Sequence, residues 1–167
     1  MEIKDSLISS KTALPNVKKL TISGIVIALY VVIMFFTQSF AFGQYQVRLA
    51  TSLYALAAIN PFLIAPLGIA NMLSNTLMGG LGLFDTLGGF LVGILTAGSC
   101  YLLRKINTVL VAIPILIIPT LVVPIWLSYI INVPYGVLVL SLGIGQILPS
   151  IVGVILVKYL EKPLSKI

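Results

Sequence analysis

The sequence predicts an all-α integral membrane protein with six transmembrane helices and both termini cytoplasmic. Three observations predict it. Only 8% of the 167 residues are charged and 59% are hydrophobic, too little charge to cover a soluble domain of this size. Apolar runs such as residues 113–123 lack the alternating polarity of a membrane β-barrel. Nine of the ten Lys and Arg residues fall in three clusters: Lys4, Lys11, Lys18 and Lys19; Arg104 and Lys105; and Lys158, Lys162 and Lys166. A helix that crosses the hydrocarbon layer needs about 20 apolar residues, which leaves room for roughly six crossings.

Each element follows from its composition. Residues 20–36 are the first clear span, after a cytoplasmic leader at 1–19 that is too polar for a cleaved secretory signal. A loop rich in Gln and aromatic residues covers 37–48, and 49–59 is apolar but short for a full crossing. Asn60 and Pro61 read as a turn, with an N-cap residue before a proline suited to the first helical position. Residues 62–78 form the third segment, broken by Gly79-Gly80-Leu81-Gly82. The fourth covers 83–103 and ends at Arg104 and Lys105. The fifth, 108–129, contains Pro114, Pro119 and Pro124, each of which removes a backbone donor, so an irregular helix is expected. After Asn132-Val133-Pro134, residues 136–157 form the sixth. The membrane domain is thus placed at 20–160, with a cytoplasmic tail at 161–167.

Cations stay on the cytoplasmic side of bacterial membrane proteins. All three clusters lie there if an even number of crossings separates each pair, and six segments satisfy this. The loops at 37–48, 79–85 and 130–135 then face outside. Arg48, the tenth cation, and Asp85, the one acid away from the termini, share that outer side.

Those two charges are the first site candidates. The planar fork of a guanidinium suits a carbonyl, carboxylate or phosphate, although a border Arg also serves as a snorkelling anchor. Asp85 can N-cap the fourth helix, pair with Arg48, or accept from a ligand N–H. Asn71 and Asn75 lie four apart and share a helix face. Gln146 is the strongly polar side chain deep in the sixth segment and is expected to point inward. Interhelical hydrogen bonding is the plainer role for these amides. Gly24 and Ala28, like Gly89 and Gly93, form small-xxx-small faces that serve either internal packing or docking of a partner.

Other chemistries are missing from the chain. It has no His, hence neither the commonest metal ligand nor the commonest general base. No His/Cys/acid cluster suits a metal, no cofactor is implied, and no paired acids suggest an enzyme. The single Cys100 reads as a small buried side chain. The cations are spread over three loops and do not form a nucleic-acid face. No Gly-x4-Gly-Lys-Ser/Thr phosphate loop exists, so any uphill transport takes its energy from another subunit. The alternative, a homodimeric proton-coupled transporter, needs a protonatable intramembrane acid, for which Asp85 is the candidate.

The stretch Gly43-Gln44-Tyr45-Gln46-Val47-Arg48-Leu49, with Asn71, Asn75 and Gly80-Leu81-Gly82-Leu83-Phe84-Asp85, resembles the queuosine-precursor transporter family. These are substrate-binding (S) components of energy-coupling factor (ECF) transporters. The resemblance runs from about Ile22 to Lys162. It implies a multi-pass S component in the bacterial cytoplasmic membrane that binds a micronutrient on its outer face and topples to release it inside. A T subunit and two ATPase subunits provide the drive, and the T subunit docks on the small-residue face Gly24 and Ala28. The implied ligand contacts are Gln44, Tyr45, Gln46, Arg48, Asn71, Asn75, Asp85 and Gln146. The chain departs from the family pattern at Ala50 and Thr51, where a Ser-Glu pair is expected, and at Gln146, where a Glu is expected. A buried aminomethyl cation wants a carboxylate partner. The missing acids therefore imply a neutral ligand, either queuine-like or an amide-rich vitamin such as cobalamin.

Overall fold

The computed structural model describes residues 16–43, 45–79 and 81–164. Residues 1–15 of the expected leader, residues 165–167 of the tail, and the site candidate Gln44 lie outside the described residues. Among the described residues every regular element is helical. Helix α1 covers Asn16–Ala41, a ten-residue 3-10 helix covers Leu49–Ala58, α2 covers Ile64–Ser74, α3 Leu83–Arg104, α4 Ala112–Ile131 and α5 Tyr135–Leu164.

Among the described residues, five segments are long and apolar enough to cross a bilayer: Asn16–Ala41, Pro61–Gly79, Leu83–Arg104, Thr108–Ile131 and Tyr135–Lys162. The expected second span is the exception. Ten residues of 3-10 helix rise only about 20 Å, against a hydrocarbon core of about 30 Å. Eight of the ten are buried, from Ala50 to Ala57. The element packs on α5, α3 and α1 together, so it forms the centre of the bundle. Its tight winding has local support. The hydroxyls of Thr51 and Ser52 each donate to the carbonyl three residues back, Arg48 O and Leu49 O, at 2.7 Å. The element runs antiparallel to α1: Arg48 at its start reaches Ala41 O at the end of α1, and Tyr54 further along meets Tyr30 in the middle of α1.

Helix α1 continues five residues past the expected end of the first span, because no Gly or Pro interrupts 37–41 and Thr37 Oγ1 bonds back to Ile33 O. The expected loop therefore shortens to 42–48. Pro61 takes the first position of a short 3-10 turn, as its fixed φ favours, but the Asn60 side chain makes no capping bond. α2 ends in a π-helical turn, Asn75–Gly79.

The N-cap position of α3 belongs to Gly82, at φ +86°, a conformation that favours glycine. The capping role considered for Asp85 is therefore corrected. Asp85 lies in the first turn of α3, where the helix dipole favours an anion. In the fifth span, Asn107 accepts from Val109 N and starts a 3-10 turn, and α4 then runs unbroken as α-helix through Pro119 and Pro124. Asn132, left-handed at φ 53°, ends it.

The glycine faces divide between two roles. A Cβ on Gly93 would meet Gly68 Cα at 2.8 Å, and one on Gly89 would meet Asn75 Nδ2 at 2.5 Å, so both close the α2–α3 contact. Gly24 and Ala28 are exposed on α1, and a Cβ on Gly24 would meet nothing within 4 Å. Internal packing does not explain that pair. At the opposite end of the bundle from Arg48, Arg104 forms an ion pair with Glu161, tying α3 to α5.

Candidate functional site

Six of the eight ligand-contact candidates line one buried cavity: Gln46, Arg48, Asn71, Asn75, Asp85 and Gln146. The elements that carry them explain the convergence. The loop after α1 brings Gln46 and Arg48, α2 and its π turn bring Asn71 and Asn75, the first turn of α3 brings Asp85, and α5 supplies Gln146. Arg48, Asn71, Asn75, Asp85 and Gln146 are each at most 6% exposed. Such burial of polar groups costs free energy unless they are hydrogen-bonded, so their partners decide what the site can do.

Arg48 is held on three sides. Its Nε donates to Ala41 O at 3.4 Å, its Nη1 donates to Asn75 Oδ1 at 3.1 Å, and its guanidinium lies 4.8 Å from the centre of the Phe42 ring. Asn75 turns its other end to the start of α3, where Nδ2 donates to the backbone oxygen of Asp85 at 3.0 Å. The two charges are thus joined through an amide. No ion pair joins Arg48 to Asp85.

Asp85 accepts from Trp126 Nε1 at Oδ1, 3.2 Å away, and its buried Oδ2 has no donor. Asn71 is placed in the same way: its Nδ2 donates to Gly89 O at 2.8 Å, and its buried Oδ1 has no donor. Two residues that line one cavity therefore each keep an unpaired acceptor. Native buried polar atoms are rarely unpaired, and those that are call for an explanation.

Thr51 and Gln146, two positions where the family pattern expects an acid, touch each other. Thr51 Oγ1 lies 2.9 Å from Gln146 Oε1. A neutral hydroxyl–amide pair thus forms part of the cavity wall.

The space enclosed by these residues is only about 10 Å³, room for one water at most. A wider cavity of about 600 Å³ lies at the mouth, between the 42–46 loop and the α4–α5 connection. Tyr45, half-exposed, lines this mouth cavity and not the inner one, while Gln46 lines both. Gln46 holds φ +44°, a left-handed conformation uncommon outside glycine. The loop is pressed onto α5, where Gly145 leaves room for it: a Cβ there would sit 1.8 Å from Tyr45 O.

Sequence reasoning missed Trp126 and Tyr54, which also line the inner cavity. Tyr54 is fully buried and shares a hydrogen bond of 3.2 Å with Tyr30 Oη. The available signal for Trp126 was that it is the one Trp of the chain, but a Trp near a membrane border ordinarily reads as an interfacial anchor.

Fold and site together define a polytopic helical membrane protein with a buried polar site near one end of its bundle. The model of the QueT transporter family matches residues 20–162. The chain belongs to that family and is a membrane transport protein, in agreement with the sequence resemblance. No curated protein and no solved structure gives a match.

Proposed function

We propose that this chain is the S component of an ECF transporter in the bacterial cytoplasmic membrane. In this reading the Arg48 end faces outside and captures a small, neutral queuosine precursor of the deazaguanine type. A T subunit and two ATPase subunits then drive its delivery inward. The observation that carries the reading is the gathering of six sequence-selected polar residues around one cavity, with Asp85 Oδ2 and Asn71 Oδ1 unpaired.

Charge supports a neutral ligand. The cavity wall holds one cation, Arg48, and one anion, Asp85, and the Thr51–Gln146 pair adds no charge. Size supports a small one. Small-molecule sites commonly reach about 300–1,000 Å³, so a single heterocycle needs the 42–48 loop to yield, and cobalamin would need far more of the bundle to move. The exposed small face at Gly24 and Ala28 supports docking of the T subunit on α1.

The test is calorimetric titration of the purified, detergent-solubilised chain with deazaguanine, alongside mass spectrometry of co-purifying small molecules. Arg48→Ala and Asp85→Ala should each weaken binding by about tenfold or more, as expected for hydrogen bonds to charged groups, while the protein stays folded. Unchanged affinity in both variants would overturn the site. A corrinoid in the mass spectrum would overturn the ligand.

A further inference from the structure

Asp85 and Asn71 share an unusual arrangement. Each is clamped through one polar atom of its side chain and presents the other unpaired. The clamps sit on two consecutive glycines of α3. Gly88 is the seat of Trp126: a Cβ there would lie 2.6–2.8 Å from three indole atoms. Without that side chain, the indole lies against α3 and its N–H reaches Asp85 Oδ1. Gly89 supplies the carbonyl that receives Asn71 Nδ2.

Trp126 does more for Asp85 than fill space. The carboxylate is 2% exposed and has no cation paired with it. Asn75 anchors its backbone oxygen, and the indole N–H anchors Oδ1. The rotation of the carboxyl group is therefore set before any ligand arrives, which reduces the ordering cost of binding. The remaining oxygen requires a donor, since a buried carboxylate oxygen left bare is unfavourable. Asn71 Oδ1 has the same requirement.

We propose that Trp126 is a positioning residue. Seated on Gly88, it fixes Asp85 so that Oδ2, the carboxylate oxygen left unpaired, accepts from the exocyclic amine on the edge of a planar heterocycle. This rests on the reading of the cavity as the ligand site and adds the chemical edge that is recognised. Heterocycles that present an acceptor there, or lack the amine, leave Oδ2 bare and are rejected. Rejection of this kind is strong because the site's own buried polar groups remain unpaired.

The experiment compares deazaguanine with deazahypoxanthine, which lacks the exocyclic amine, by calorimetry on the full chain in detergent. The wild type should prefer deazaguanine by about tenfold or more. Trp126→Phe keeps a ring on Gly88 and removes the N–H. It should bring that preference close to one while the thermal midpoint stays near the wild-type value. On an Asp85→Asn background, Trp126→Phe should cause no further loss of preference. A preference retained in Trp126→Phe, or affinities for both bases falling equally, would overturn the role of Trp126. If Trp126→Phe does not fold, the wild type decides. Its single indole N–H resonance should move on saturation with deazaguanine and less with deazahypoxanthine, and a resonance that stays fixed overturns the proposal. A wild type that binds neither base overturns the proposed ligand and this edge with it. Binding with unaltered discrimination in the variant overturns the positioning role alone.

Discussion

Gly145→Ala tests whether the 42–48 loop closes the site. The added Cβ would lie 1.8 Å from Tyr45 O and 3.0 Å from Gln46 O. Real Cβ contacts essentially never fall under 3.0 Å, so the loop must retreat from α5 by at least 1.2 Å, the difference between 3.0 and 1.8. Both atoms are backbone, so no rotamer change relieves the clash. Gln46 already holds a left-handed φ and has little further freedom to absorb the shift. Overpacking of this kind costs about 1–3 kcal/mol. If the loop must sit against α5 for the ligand to be held, that cost appears in binding as a rise in Kd of about 5-fold to 150-fold. Most of it should appear as faster release, since retreat opens the path through Gln46. Stopped-flow fluorescence can follow release, because Trp126 is the single Trp and lines the cavity. Gly98→Ala is the control: its Cβ would meet nothing within 4 Å, and its helix should gain up to about 1 kcal/mol. An unchanged Kd and release rate in Gly145→Ala would refute loop closure as part of ligand retention.

Three further outcomes follow from the same geometry. Gln146→Glu is nearly isosteric and places an acid against Thr51; it should raise affinity for an aminomethyl-substituted deazaguanine by about tenfold or more, measured against the neutral base by calorimetry. Gly24→Trp should abolish uptake in cells carrying the T and ATPase subunits while leaving ligand affinity intact, since a Cβ on Gly24 would meet nothing within 4 Å; lost binding would return this face to internal packing. Gly93→Ala should lower stability by about 1–3 kcal/mol, read from thermal unfolding in detergent, because its Cβ meets the backbone of Gly68 at 2.8 Å.

Much of the fold was legible because membrane segments are set by long apolar runs and charge placement. The fourth span was expected at 83–103 and is Leu83–Arg104, bounded by a Gly-rich turn and a cationic pair. The candidate site was legible wherever polarity stood out against an apolar background: Arg48, Asp85, Asn71, Asn75 and Gln146 are costly in lipid and line one cavity. Tyr54 and Trp126 did not stand out, because an aromatic residue in an apolar segment fits packing or anchoring equally well. The end of α1 was misplaced because the Gln and aromatic residues at 38–41 suggest a loop, yet nothing among them breaks a helix. The π turn at Asn75–Gly79 carries no local signature, and its origin lies in what Asn75 must reach: Arg48 on one side and Asp85 on the other.

The 3-10 helix shows why the second segment had to be irregular. Arg48, Thr51 and Tyr54 are spaced by three, and all line the inner cavity. In a 3-10 helix, side chains at i and i+3 eclipse, so Thr51 and Tyr54 stand in one row facing the cavity, and Arg48, at the N-cap just before the helix, lines the same cavity. In an α-helix each step of three residues turns about 300°. Tyr54 would then point about 60° away from Thr51. These three residues also tie the site to the rest of the bundle. Arg48 reaches Asn75 on the π turn, Thr51 meets Gln146 on α5, and Tyr54 meets Tyr30 on α1. A segment too short to span the membrane as a 3-10 helix is thus placed where three other elements need a polar contact at successive depths. Its length follows from that geometry, with Arg48 level with the end of α1 and Tyr54 level with its middle.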